Sequence, residues 1–392
     1  MRVLYCTDTY VPQVNGVSIV TSLSVGGLSR LGWECAVVAP RYPAASHALW
    51  NKSGKPAGDP VELVSLPSVP LPGYSEVRLA IPNPSPVHRL VREFRPDLIH
   101  CATEFSVGRM GQIAAARARI PLVSSYHTDF TRYADAYGKS WLRNTVSSYL
   151  RRFHQRSRRV FTPSTVSRED LLRLNVRDVE VWGRGVDSSL FHPSRRSAEW
   201  RTQLGLGGRF TFLYVGRLAP EKRPEQILDA FRIAREMLPA DAIHLVIAGT
   251  GPCEQDLRAM ALPDVTFLGF LERGTRLPDL YANCDAFAFA SVTETLGLVL
   301  LEAMASGLPI VAAPAGGVRD HLRDGLNGLA YPAGNARAMA EAMVRLVRED
   351  GLARQLGREA RSTAEGLSWE REMERLDQSY RDVCKAAFKQ AA

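Results

Sequence analysis

Two glutamates, Glu294 and Glu302, stand eight residues apart with a glycine between them. Carboxylates accept hydrogen bonds from hydroxyls, so Glu294 suits a sugar and Glu302 a ribose diol. Between them, Thr295, Leu296, Gly297 and Leu298 lead from a small polar loop into an apolar run. That pattern predicts a helix starting near Gly297, just after a strand at Ala286–Ala290. The first amides of a helix have no partner inside it, and they carry the positive end of its dipole. A diphosphate docks at such a terminus without needing a cationic side chain. If the stretch is helical throughout, the two acids lie about two turns apart. The plainer reading makes Glu302 a solvated helix residue and Glu294 a loop acid. The preceding strand, Gly297 and the closing Met304-Ala305-Ser306-Gly307 favour the binding reading.

A second cluster runs Tyr214-Val215-Gly216-Arg217, with Glu221, Lys222 and Arg223 close behind. An apolar strand ends at Gly216, and two cations, Arg217 and Lys222, follow in one loop. Positive charge aimed at a departing diphosphate stabilises the charge that grows as the bond breaks. A surface cluster of weak ion pairs is the alternative for this loop taken alone. Third is His127, in Ser125-Tyr126-His127-Thr128-Asp129, directly after another strand. A lone histidine is more often structural, but its place at a strand's carboxyl end favours contact with a sugar. Fourth is the loop Asp8–Val17, where Gly16 lets backbone approach a ligand at a helix start. A tight turn without ligand is its alternative. Gly249-Thr250-Gly251-Pro252 is half a glycine fingerprint, assigned to loop geometry near a nucleotide.

These loops need strands to hold them. Short apolar runs alternate with longer amphipathic stretches, the pattern of parallel sheets with crossover helices. Strands are expected near Val3–Cys6, Ala36–Ala39, Val61–Ser65, Leu98–His100, Leu122–Ser125, Val160–Thr162 and Glu180–Trp182. A second set falls near Phe212–Val215, His244–Ala248, Val265–Phe267, Ala286–Ala290, Ile310–Ala312 and Gly328–Tyr331. Each set makes one doubly wound, Rossmann-like α/β sheet, with ligands at the carboxyl ends of the strands. Glycines at 183 and 185 and Pro193 punctuate the chain between the sets. The expected division is therefore 1–188, 189–368, and a final helix over Trp369–Lys389 that returns to the first domain. Two such domains would face a central cleft.

The 392 residues suffice for two cores, and the balance of 45% hydrophobic to 23% charged residues is that of a globular protein. No apolar run is long enough to span a bilayer, and the N-terminus lacks the apolar core of a secretory signal. The six cysteines are scattered without metal-like spacing, which predicts reduced thiols and a cytoplasmic protein. A net charge of +8 implies an anionic partner. No nucleic-acid module is recognisable, so nucleic acid is not the expected one.

Together these segments resemble the GT4 family of retaining glycosyltransferases of the GT-B fold, over nearly the whole chain. Glu294 to Glu302 is similar to that family's E-x7-E element, and Gly216-Arg217 with Glu221-Lys222 to its diphosphate clamp. Tyr126-His127-Thr128 resembles its sugar-contacting histidine motif. The resemblance implies that Glu294 holds the donor sugar, Glu302 the ribose, and Arg217 and Lys222 the phosphates. Backbone at Leu296, Gly297 and Leu298 would take the distal phosphate, with Gly16 closing over it. Leu271 and Arg276 fall where the family contacts the base. It implies no cofactor and no metal, and no DxD-type metal site with a fitting context is found. The loop Pro12–Val17, His127-Thr128-Asp129 and Gly183–Asp187 are most like the GDP-mannose-dependent α-mannosyltransferases. The sulfoquinovosyl- and glucosyl-diacylglycerol synthases, which use UDP-sugars, carry similar segments. The expected reaction is α-glycosyl transfer with retention to a lipid-linked or oligosaccharide acceptor. Arg217, Lys222 and the Gly297 helix start would stabilise the leaving diphosphate while the acceptor attacks from the same face. The donor phosphate itself can take the acceptor proton.

The segment Lys139–Arg159 has seven Lys/Arg and no Asp or Glu, with Leu142, Val146, Tyr149, Leu150 and Phe153 on one helical face. It reads either as a peripheral contact with an anionic membrane or as a core-facing helix with a solvated basic side. Proline-rich Pro67–Pro86, with Leu71, Tyr74 and Leu79, is a second candidate for acceptor or membrane contact. Competing functions on such a scaffold are a nucleotide-sugar 2-epimerase, which lacks the E-x7-E element, and a phosphorylase, which needs a pyridoxal lysine and a longer chain. A non-catalytic nucleotide-binding protein is disfavoured by the joint presence of both acids, both cations and the histidine.

Overall fold

A computed structural model of the chain describes residues 1–43, 62–71, 74–260 and 262–391. The chain forms two compact units. The first comprises Met1–Thr131, Trp141–Gly183 and Glu370–Ala392; the second comprises Arg132–Ser140 and Arg184–Trp369.

In the first unit, seven parallel strands are β1 (Arg2–Cys6), β2 (Glu34–Pro40), β3 (Glu62–Leu66), β6 (Leu98–Cys101), β7 (Leu122–Ser125), β8 (Arg159–Thr162) and β9 (Val179–Val181). Their order in the sheet is β3-β2-β1-β6-β7-β8-β9. The direction of winding therefore reverses between β1 and β6, which pair in register from Val3 with Leu98 to Cys6 with Cys101. Expected start Val61 lies outside the described residues. The proline-rich stretch holds a separate antiparallel pair, β4 (Ser68–Leu71) and β5 (Tyr74–Ala80); Pro72 and Gly73 are outside the described residues. Prolines remove ladder donors and suit only edges and short ribbons, so local sequence pattern does not announce this pair.

The second unit carries a six-stranded parallel sheet of β10 (Phe210–Val215), β11 (Ile243–Ala248), β12 (Val265–Gly269), β13 (Ala286–Phe289), β14 (Ile310–Ala312) and β15 (Gly328–Ala330). The order is β12-β11-β10-β13-β14-β15, so winding reverses between β10 and β13. Central strands covered on both faces read as unbroken apolar runs, and Phe212, Leu213, Tyr214, Ala286, Phe287 and Ala288 are all 0% exposed.

The helix Trp369–Ala391 packs on the first unit through polar anchors as well as apolar ones. Trp33 donates to Asp377 at 2.6 Å and Trp182 to the Glu372 carbonyl at 2.6 Å. Met373 lies where a Cβ on Gly27, in the helix Gly16–Arg30, would stand, which accounts for the glycine there. Tyr380 is wholly buried, with its hydroxyl bonded to the Tyr5 hydroxyl at 2.8 Å and to His100 Nδ1. His100 Nε2 in turn meets the Ser125 hydroxyl at 2.7 Å. Replacing Tyr380 by Phe strands both partners in a dry interior. The expected cost is about 1–3 kcal/mol, read as a lower denaturant midpoint; an unchanged midpoint would show the chain of hydroxyls to be idle.

The basic segment resolves into a short 3-10 turn (Ser140–Leu142) and a helix over Arg143–His154. Leu150 and Phe153 are buried, and Val146 packs against the apolar cluster that includes Tyr126, Leu150 and Val160. Part of its apolar face therefore packs on the core, while Tyr149 on the same face is 41% exposed. Trp141, by contrast, is 78% exposed, with Lys139 and Arg143 two residues away on either side in the sequence. No helix among the described residues is long and apolar enough to cross a membrane.

Candidate active site

The reversal of winding brings two loops of the second unit together. One leaves β10 through Gly216 and Arg217 to a 3-10 turn over Pro220–Lys222; the other leaves β13 through Ser291–Gly297. In a doubly wound sheet, such a switch point opens a crevice at the carboxyl ends of its two strands. The loops are bound to each other: Thr293 donates its hydroxyl to the Glu221 carbonyl at 3.2 Å. Lys222 Nζ forms an ion pair with Glu294 Oε1, across 72 positions of sequence. Burial works against the ammonium's charge, but the Glu294 carboxylate and nearby Tyr133 outweigh it and hold the Lys222 pKa above its ordinary value.

Glycines shape this edge where a side chain would collide. Gly297 has φ +77° and starts the helix Leu298–Ala305, which has no side-chain cap. The helix therefore starts at the residue the sequence pattern points to, and a helix start of this kind can take an anion. Only the Leu298–Glu302 portion of the eight-residue interval is helical, so the two acids are not on one continuous helix face. Beyond β14, a Cβ on Gly316 would stand 2.3 Å from the Glu294 carbonyl oxygen, and one on Gly317 2.2 Å from that of Thr295. The Gly317 amide also donates to the Glu294 carbonyl at 2.7 Å. A Cβ on Gly249 would lie 1.9 Å from the Gly216 carbonyl oxygen, so the Gly249–Gly251 stretch braces the Arg217 loop by backbone contact. Local sequence pattern does not show this close approach.

Glu302 is only 2% exposed. Arg273 holds one of its oxygens from Nε at 2.8 Å and from a terminal nitrogen at 2.7 Å, while Tyr281 donates to the other at 3.2 Å. The Arg273 guanidinium also lies over the Phe191 ring, 5.2 Å from its centroid. Burial raises the Glu302 pKa and Arg273 works against that rise. Leu271 follows β12, and Arg276 begins the helix Arg276–Ala282 with its side chain exposed, so both flank Arg273 in sequence. Arg273 was not singled out from the sequence; a cation between two expected base contacts was the available signal.

A segment of the chain's first half also joins the second unit. In Arg132–Ser140, Arg132 donates to the Val292 carbonyl at 3.3 Å and Tyr137 to the Glu221 carboxylate at 2.7 Å. Tyr133 lies among the charges of Lys222, Glu294, Glu221 and Arg217; burial first, and the acids with it, raise its phenol pKa. The sequence marks this stretch only as following the histidine loop.

His127 and Gly16 belong to the first unit, each at the carboxyl edge of its sheet, after β7 and β1. Burial, and then the neighbouring His154, lower the His127 pKa to about 4, so its imidazole is neutral near pH 7. A neutral ring can exchange hydrogen bonds with a hydroxyl. His154 lies 3.4 Å from the Glu104 carboxylate and hydrogen-bonds with Ser124 at 2.9 Å. Gly16 opens a helix capped by Asn15, whose side chain accepts from the Ser18 amide at 2.9 Å. A Cβ on Gly16 would meet no atom within 4 Å, so packing does not demand glycine there. Asp8 accepts from Thr103 at 2.7 Å, Ser106 at 2.9 Å and the Val107 amide at 2.8 Å. It thus caps the helix Ser106–Ala118, which has no cap of its own. Among the described residues, no group of three or more His, Cys, Asp or Glu is placed to hold a metal ion.

The family described as Glycosyltransferase Family 4 matches residues 14–190, and that described as Glycosyl transferases group 1 matches residues 196–363. A GDP-mannose-dependent alpha-mannosyltransferase of Mycobacterium tuberculosis is 32% identical over 94% of this chain and 93% of its own. The sulfoquinovosyl transferase SQD2 of Arabidopsis thaliana is 33% identical over 77% of this chain and 60% of its own. Among solved structures, Anabaena HepE in complex with UDP and glucose superposes with a TM-score of 0.78 at 22% identity, covering 97% of this chain and 100% of that one. The shared architecture is GT-B, two Rossmann-like units in one chain.

Proposed function

This chain belongs to the family 4 glycosyltransferases and is a glycosyltransferase, and we propose that its donor is GDP-mannose, transferred with retention to a lipid-linked or oligosaccharide acceptor in α linkage. The observation that carries the reading is the meeting of Lys222 and Glu294 at the switch point of the second sheet, beside an uncapped helix start. A phosphate-binding cation and a hydroxyl-binding acid there suit a diphosphate joined to a sugar. The likeness to the mycobacterial mannosyltransferase favours mannose and guanine.

In this reading Arg217, Lys222 and the amides of Leu296, Gly297 and Leu298 take the diphosphate. Glu294 and Thr295 face the sugar, Glu302 the ribose, and Leu271 with Arg276 the base. His127 and Gly16 act from the first unit, the acceptor side. The positive groups stabilise charge on the leaving diphosphate, and its own oxygen accepts the acceptor's proton as the hydroxyl attacks from that face. The exposed Trp141 with Lys139 and Arg143 would rest on an anionic cytoplasmic membrane surface that presents a lipid acceptor.

A second reading, a UDP-sugar-dependent glycolipid synthase, is favoured by the likeness to the Arabidopsis enzyme. Thermal shifts against GDP, UDP and ADP separate the two. A ligand at 100 times its Kd stabilises the folded state by about 2.7 kcal/mol, so the preferred nucleotide raises Tm most. GDP leading, with turnover of GDP-mannose, is expected; UDP leading transfers the case to the glycolipid synthase, and no response to any of the three overturns both.

A further inference from the structure

The two acids of the site are held in different ways. Glu302 is 2% exposed and is fixed by Arg273 and Tyr281, with Arg273 itself packed on Phe191. In the Lys222–Glu294 pair, 17% and 15% of the two side chains remain exposed. That pair also spans the place where, in the reading above, the diphosphate meets the sugar.

We propose that the Lys222–Glu294 ion pair closes the empty donor site on itself and makes the site select an intact nucleotide sugar over the nucleoside diphosphate product. The inference rests on the functional reading just given. A diphosphate arriving alone would draw Lys222 away and leave a largely buried carboxylate without its cation, a costly state. A nucleotide sugar replaces both partners at once: phosphate oxygens take the ammonium, and sugar hydroxyls donate to the carboxylate. Once the sugar has gone to the acceptor, Glu294 loses those donors and competes again for Lys222, which weakens the hold on the spent diphosphate. Because the Glu221 carbonyl ties the two loops through Thr293, the exchange requires only side-chain motion, which the flexible lysine stem allows.

Calorimetric titration of GDP and of UDP into the wild type, Glu294→Gln, Lys222→Met and the double variant tests this. Glu294→Gln keeps the shape and frees the ammonium, so the diphosphate should bind roughly tenfold more tightly, or about 1.4 kcal/mol, while sugar transfer falls. In the Lys222→Met background the same change should bring no gain. Unchanged or weaker binding overturns the inference. So does a gain that persists without Lys222, since it would then reflect only a lost negative charge. If Glu294→Gln fails to fold, Glu294→Asp, whose carboxylate is set back by one methylene, should show a smaller gain of the same sign, and its absence is equally fatal. A wild type that binds neither diphosphate overturns the functional reading along with this one; binding without the gain overturns this inference alone.

Discussion

Replacing Lys222 with alanine is expected to lower kcat/KM for sugar transfer by roughly 10²–10³-fold. The ammonium sits at the carboxyl edge of the second sheet, held above its ordinary pKa, and is therefore charged throughout the working range. In the proposed mechanism its largest service comes when the diphosphate departs and gains charge, so most of the loss should appear in kcat. A fall confined to KM would mean that Lys222 binds donor and transition state equally. Steady-state kinetics with the donor that leads the nucleotide panel makes the measurement. Near-wild-type kcat/KM would remove Lys222 from the clamp.

Arg273→Ala should destabilise the fold more than any other single change in this site, by about 3–5 kcal/mol near pH 7, because it leaves the buried Glu302 carboxylate without its cation. The sign of its pH dependence follows from burial. Glu302 has a folded pKa above its ordinary value, so its contribution to stability is complete below the unfolded pKa and declines as pH rises through the folded one. Arg273 offsets that decline, and the variant loses the offset. The gap between variant and wild type should thus narrow as the pH is lowered towards the ordinary carboxylate range, where a protonated Glu302 needs no cation. Urea melts at pH 7 and pH 5 measure it. A gap that is constant or widens on acidification would mean the arginine acts through its packing on Phe191 rather than through charge.

Both sheets were legible in the sequence for one reason. Strands such as Phe210–Val215 and Ile243–Ala248 are covered on both faces, so their apolar runs are unbroken and stand out between amphipathic helices. The hairpin formed by β4 and β5 was not, since Pro67 and Pro70 make that stretch read as irregular chain. Nor did local pattern show that Glu221, an acid in a polar loop, is 3% exposed and bound by Tyr137.

Local pattern was thus enough for the α/β class, for the loops that follow strands, and for the residue types on or just beyond those loops: Glu294, Glu302, Arg217, Lys222, His127 and Gly16. These are local properties, set by periodicity and by what a short loop can offer a ligand. Which of them pair depends on how the chain folds. Lys222 meets Glu294 because β10 and β13 are neighbours where winding reverses. Arg273 reaches Glu302 across 29 positions, Tyr137 reaches Glu221 across 84, and Tyr380 reaches His100 across 280. Such partners are chosen by strand order and burial of the whole chain, and no short window of sequence contains that information.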